Sequence, residues 1–121
     1  MTDRLAAAEA LLADLVGFAS ISGQPNGEIV NYIKTYLESY GVIVHLDSHE
    51  DGQRFNLFAS IGPQIDGGVL LSGHLDVVPA NPAGWSRDPF VLHKQDGRLY
   101  GRGAVDMKGF LAIVLAMVPA F

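Results

Sequence analysis

Apolar residues recur along the chain in three rhythms, and each rhythm predicts a different element. Leu5, Ala8, Leu12, Leu15 and Phe18 fall three or four apart, one face of an amphipathic helix that Thr2 or Asp3 can cap. Residues 20–27 gather Ser, Gly, Pro and Asn and read as a loop. Between 28 and 40 the set Ile29, Ile33, Tyr36, Leu37 and Tyr40 is again helical, and Gly41 follows where a left-handed residue relieves the last turn. Tyr32, Tyr36 and Tyr40 are assigned to packing, with hydroxyls reaching the surface.

Beyond Gly41 the rhythm changes. Residues 42–46 are short and β-branched, 47–52 form a turn, and 55–61 resume strand-like composition. Residues 69–72 are apolar without alternation, which predicts a strand covered on both faces. Residues 80–89 hold two prolines and Trp85, which is expected to pack this loop over the sheet. Residues 90–95 and 98–101 flank Asp96-Gly97 and predict a hairpin. After Gly103 a third helix is expected, and residues 110–121 are apolar on every side, so such a helix must be covered all round. Twelve residues are too few to span a bilayer. Together the elements predict an α/β domain: a three-layer α/β/α arrangement around a mixed sheet, incomplete at its C-terminal side.

Composition narrows the chemistry. Formal charge is -5, with 13 acidic and 8 basic residues, and no basic run interleaves with aromatics, so neither nucleic acid nor an anionic membrane surface is an expected partner. The chain has no cysteine, so any metal must be held by His and carboxylates. The N-terminal residues lack the charged, apolar and small-residue succession of a signal peptide, and the cytoplasm is expected.

Two stretches carry candidate chemistry. In Leu71-Ser-Gly-His74-Leu-Asp76-Val-Val-Pro79 an imidazole and a carboxylate two residues apart share one face of an extended segment, as a metal ligand and its helper would. In Gly101-Arg-Gly-Ala-Val-Asp106-Met-Lys-Gly109 glycines permit tight backbone around an acid at a strand-to-helix junction. A dinucleotide-binding G-x-G-x-x-G fits poorly, because Asp106 occupies the third glycine's place and would repel a phosphate. His45 and His49 are spaced as in H-E-x-x-H, but no Glu follows His45 and the context is strand then turn. They read as surface residues, and His93 as structural. Arg102 and Lys108 are expected to be solvated or in salt bridges, and Glu28, Glu38 and Glu50 to be surface charges.

The pattern His74-x-Asp76 followed by Gly101-Arg-Gly-x-x-Asp106-Met-Lys-Gly109 resembles the M20 family of metal-dependent amidohydrolases and peptidases. With Trp85-Ser-x-Asp-Pro-Phe90 and Asp96-Gly-Arg-Leu-Tyr-Gly-Arg-Gly103, the wider text is most similar to that family's acetylornithine deacetylases. The resemblance implies that His74 binds one metal, that Asp76 orients His74, and that Asp106 bridges two metal sites. Zinc is the implied ion, with cobalt or manganese as alternatives. It further implies a metal-activated water cleaving an N-acyl amino acid, a homodimeric whole protein, and a general-base glutamate with further ligands that this sequence does not supply. Residues 1–121 are thus expected to be the N-terminal portion of a deacetylase catalytic domain, inactive alone. Desuccinylase, aminoacylase or carboxypeptidase activity, or a non-catalytic module keeping the fold, stand as alternatives.

Overall fold

The computed structural model describes residues 3–121, so Thr2 lies outside the described residues and the capping role falls to Asp3. Its carboxylate accepts the main-chain N–H groups of Leu5 and Ala6, two of the donors that the start of helix α1 (Arg4–Gly17) leaves unpaired. The buried face of α1 is turned from the expected one. Leu11, Leu12, Leu15 and Val16 are buried, while Leu5 is 69% exposed. Helix α2 (Gly27–Ser39) buries Ile29, Val30, Ile33 and Leu37 and ends at Gly41, whose φ of 75° is the left-handed conformation expected there. Tyr32 and Tyr36 pack against the core, but not every hydroxyl reaches the surface as expected, and Tyr40 is 50% exposed. Tyr32 donates to Asp14, and Tyr36 reaches inward to the main-chain oxygen of Leu115 at 2.8 Å.

Strands β1 (Ile43–Ser48) and β2 (Phe55–Ser60) form an antiparallel pair. Alternate residues Phe55, Leu57 and Ala59 turn toward the helices, as the two-residue period of a half-covered sheet requires. Strands β3 (His93–Gln95) and β4 (Arg98–Tyr100) form the expected hairpin. Its two-residue turn Asp96-Gly97 has both φ angles positive, 51° and 73°, and so matches the right-handed twist of the strands. Helix α3 (Gly109–Met117) packs on α1, burying Ala112, Leu115 and Ala116 while Ile113 stays 59% exposed.

The α/β class holds, with helices and strands mixed. The continuous sheet of a three-layer domain is not assembled among the described residues, where the strands form two separate two-stranded antiparallel sheets. Residues 69–72 are not the expected covered strand. They run as irregular backbone, with Val69 87% and Leu70 77% exposed, because no described segment pairs with their main-chain groups. Extended pairing begins a few residues later, at a parallel bridge between Ile21 and Val77.

Candidate metal centre

Three local features bring the two acidic glycine-rich stretches together. In residues 74–77 the side chains alternate: Leu75 and Val77 face the core while His74 and Asp76 face solvent. The expected sharing of one face is therefore found, on an extended loop instead of a strand end. Gly73 leaves room for the second stretch, since a Cβ there would lie 2.9 Å from the Met107 Cε and 2.8 Å from the Leu111 Cδ2. Gly103, at φ 82°, lies so close to Val77 that a Cβ would sit 2.5 Å from its Cγ1. From Gly103 the chain makes one widened turn over Ala104–Lys108, broken at Asp106 and Met107, before α3 begins. The Asp106–Met107 peptide is cis, and the Met107 Sδ accepts the main-chain N–H of His74 at 3.3 Å.

The result is a short chain of polar groups. The Asp106 Oδ1 lies 2.9 Å from the His74 Nε2. On the other side of the ring, Nδ1 is 3.0 Å from the main-chain oxygen of Asp76 and 3.3 Å from its carboxylate Oδ1. Ser22, on the loop after α1, donates its hydroxyl to the Asp76 Oδ2. Partial burial pulls the His74 pKa down, but acceptance by the Asp76 main-chain oxygen and by Asp106, with the charge of both carboxylates, outweighs it and leaves the pKa raised. The Ser22 hydroxyl is the largest influence holding the Asp76 carboxyl below its usual range, with the facing imidazole adding to it.

His74, Asp76 and Asp106 all line a cleft of about 310 Å³ that also includes Ser22, Arg102 and Gly103. No group of three or more His, Cys, Asp or Glu side chains converges as a metal-ligand set among the described residues. What converges is a pair. Two donors on one tetrahedral zinc stand about 3.3 Å apart, given bonds of ~2.0–2.1 Å. The His74 Nε2 and Asp106 Oδ1 need to open only a few tenths of an ångström from 2.9 Å to accept it. Both side chains are open to solvent, at 48% and 83%. Imidazole nitrogen and carboxylate oxygen are also the donor types such an ion takes. The pair therefore fits two positions of a metal centre, and a cation would sit where a proton now joins Nε2 to Asp106.

The neighbouring cations are not at the surface positions expected of them. Lys108 is fully buried and makes no salt bridge among the described residues. Its Nζ donates to the main-chain oxygens of Leu15 and Phe18 at 2.8 and 2.7 Å, capping the carbonyl end of α1, where the helix dipole favours positive charge. Arg102 lays its guanidinium 5.2 Å from the centre of the Trp85 ring and donates to the Pro79 oxygen, while its Nε is buried with no hydrogen-bond partner among the described residues. Trp85 thus packs against Arg102. His45 and His49 are exposed, and His93 stands beside Tyr100 in the hairpin. Ser22 was missed in the sequence, because a serine in a glycine- and proline-rich loop carries no signal of its own. Glu28, Glu38 and Glu50 are surface residues.

Residues 70–121 match the model of Peptidase family M20/M25/M40. The chain is similar to the acetylornithine deacetylase of Shigella sonnei, 42% identical over 93 residues, covering 76% of this chain and 24% of that protein. It is 38% identical to the acetylornithine deacetylase of Proteus mirabilis over 112 residues, which cover 87% of this chain and 29% of that one. Among solved structures it is similar to human carnosine dipeptidase 1, with a TM-score of 0.73 and 30% identity over 94% of this chain and 28% of that one. The chain spans about a quarter of the length of these relatives. It belongs to peptidase family M20/M25/M40.

Proposed function

We propose that the chain supplies one half of the metal centre of a metal-dependent hydrolase of the acetylornithine deacetylase type, as the N-terminal portion of its catalytic domain. The observation that carries this reading is the 2.9 Å approach of the His74 Nε2 to the Asp106 Oδ1, backed by Asp76, in a chain 38–42% identical to named acetylornithine deacetylases. In this reading His74 would hold one ion, and Asp106 would be the carboxylate shared between two. A bridging carboxylate offsets the repulsion between neighbouring cations. Asp76 acts through His74, accepting its Nδ1–H so that the Nε2 lone pair faces the ion.

Zinc fits the donor types, with cobalt or manganese next. When bound, such an ion makes water acidic enough to attack near neutral pH and polarises an amide carbonyl. The chain's own residues hold the site open and fix the ring. The general base and remaining ligands lie outside these 121 residues, and the chain alone is inactive. The reaction is hydrolysis of N-acetyl-L-ornithine to L-ornithine and acetate, a step of arginine biosynthesis, in the cytoplasm. The named relatives at 38–42% identity favour deacetylation over the dipeptidase chemistry named for the 30% identical structure.

A chimera tests this. Residues 1–121 replace the matching N-terminal stretch of the Proteus mirabilis enzyme, and acetate release from N-acetyl-L-ornithine is measured. The chimera is expected to turn over. Asp76→Asn is expected to lose ~10–100-fold, and His74→Ala or Asp106→Ala more than that. A folded chimera whose activity ignores both ligand substitutions would remove the assignment.

A further inference from the structure

The hydrogen bonds behind His74 run into a segment to which the motifs assign nothing. Residues 20–22 lie parallel to residues 75–77: the Val77 N–H donates to the Ser20 oxygen and the Ser22 N–H to the Val77 oxygen, each at 2.9 Å. The hydroxyl of Ser20, itself buried, adds a bond of 2.7 Å to the Leu75 oxygen. This pairing has a consequence for His74. In a trans peptide the C=O and N–H point opposite ways, so tying the Val77 N–H to Ser20 aims the Asp76 C=O at the imidazole. That oxygen is the nearer acceptor for Nδ1, at 3.0 Å.

The Asp76 carboxylate stands a little farther off, its Oδ1 3.3 Å from Nδ1, and turns easily about its last bond unless something holds it. The Ser22 hydroxyl holds it. Asp76 is ionised and can only accept, so Ser22 must donate, and with Oδ2 engaged the other oxygen is left facing Nδ1 at 3.3 Å. We propose that Ser22 is a positioning residue of the metal centre: by fixing the Asp76 carboxylate it keeps an acceptor on Nδ1, so that when an ion replaces the proton between Nε2 and Asp106 the remaining ring proton stays on Nδ1 and the Nε2 lone pair faces the ion. The inference rests on reading His74 and Asp106 as the metal ligands. It adds a third layer to the site, contributed by the loop after α1.

The test reads the tautomer of neutral His74 from the ring-nitrogen shifts of the ¹⁵N-labelled 121-residue chain carrying Asp106→Ala, which removes the acceptor that competes for the proton at Nε2. His74→Ala identifies those signals among the four histidines. Zinc chloride titration of the chain that retains Asp106 gives the affinity in parallel. Ser22→Ala is expected to move the proton toward Nε2 and to weaken zinc binding about tenfold, the lower end of what losing a supporting partner costs. Ser22→Thr, which keeps the hydroxyl, is expected to restore both. Ser22 is exposed and its main-chain bonds survive either substitution, so the fold is retained.

An unchanged tautomer and affinity in Ser22→Ala would overturn the proposal. So would a Ser22→Thr chain that behaves like the alanine variant. Zinc binding that His74→Ala leaves intact would instead refute the ligand assignment, and the tautomer measurement, made without metal, would still decide the role of Ser22.

Discussion

Lys108 shows how one side chain can set a local architecture that its charge alone would not suggest. An ammonium with no exposed surface is costly to bury, and burial pushes its pKa from 10.5 down to about 8. It is tolerated because two main-chain oxygens at the end of α1 accept from it, tying that end to the turn that carries Asp106. Between pH 8 and 10.5 the unfolded chain holds a proton on this residue that the folded chain has released, so stability rises with pH across that window. Tyr32 and Tyr36 act oppositely. Burial raises both above 10, so beyond that pH the folded state keeps protons the unfolded state loses. Urea unfolding is therefore expected to show stability climbing from pH 8 to 10 by up to about 3 kcal/mol and then levelling or falling. Lys108→Met removes the climb. A rise that persists in the variant would assign it to another group.

At the level of elements, Gly103 carries two constraints at once. Its φ of 82° is strained for any residue with a Cβ, and that Cβ would collide with Val77, one of the few buried residues of the site segment. Gly103→Ala is thus expected to cost ~2–4 kcal/mol, more than either the backbone or the overpacking term alone. Removing the Asp3 cap with Asp3→Ala is expected to cost only ~1 kcal/mol. Thermal unfolding of the two variants ranks them, and an equal loss would mean that the Gly103 turn relaxes freely. The same contrast explains what was legible in the sequence. Asp3, Gly41 and Asp96-Gly97 are local signals and give the right ends and turns. His74, Asp76 and Asp106 stand out in the sequence by residue type and glycine-rich surroundings, and the structure places the His74 ring 2.9 Å from the Asp106 carboxylate and 3.3 Å from that of Asp76. Lys108 and Ser22 were not legible. Their partners lie 90 or more and 54 residues away, and no local pattern encodes such contacts. Residues 69–72 misled for a related reason: an apolar run specifies burial, but a strand also needs a neighbour to take its hydrogen bonds.

On the scale of the whole molecule, that missing neighbour leaves apolar surface in water. Ile65, Val69 and Leu70 are more than 70% exposed and follow one another closely along the chain, and Ile113 is bare on the outer side of α3. Soluble monomers rarely present large contiguous apolar patches, and unpaired extended segments offer open main-chain donors and acceptors as well. A net charge of -5 opposes association at low ionic strength, but salt screens it over about 10 Å at 0.1 M and leaves the apolar attraction intact. The 121-residue chain is therefore expected to self-associate as concentration and salt rise. Sedimentation should show its mean mass growing from the 13.0 kDa monomer. Val69→Thr with Leu70→Lys should hold it monomeric to several-fold higher concentration, without altering zinc binding at His74 and Asp106. Association that ignores the double substitution would place the adhesive surface elsewhere, with the outer face of α3 around Ile113 the next to change.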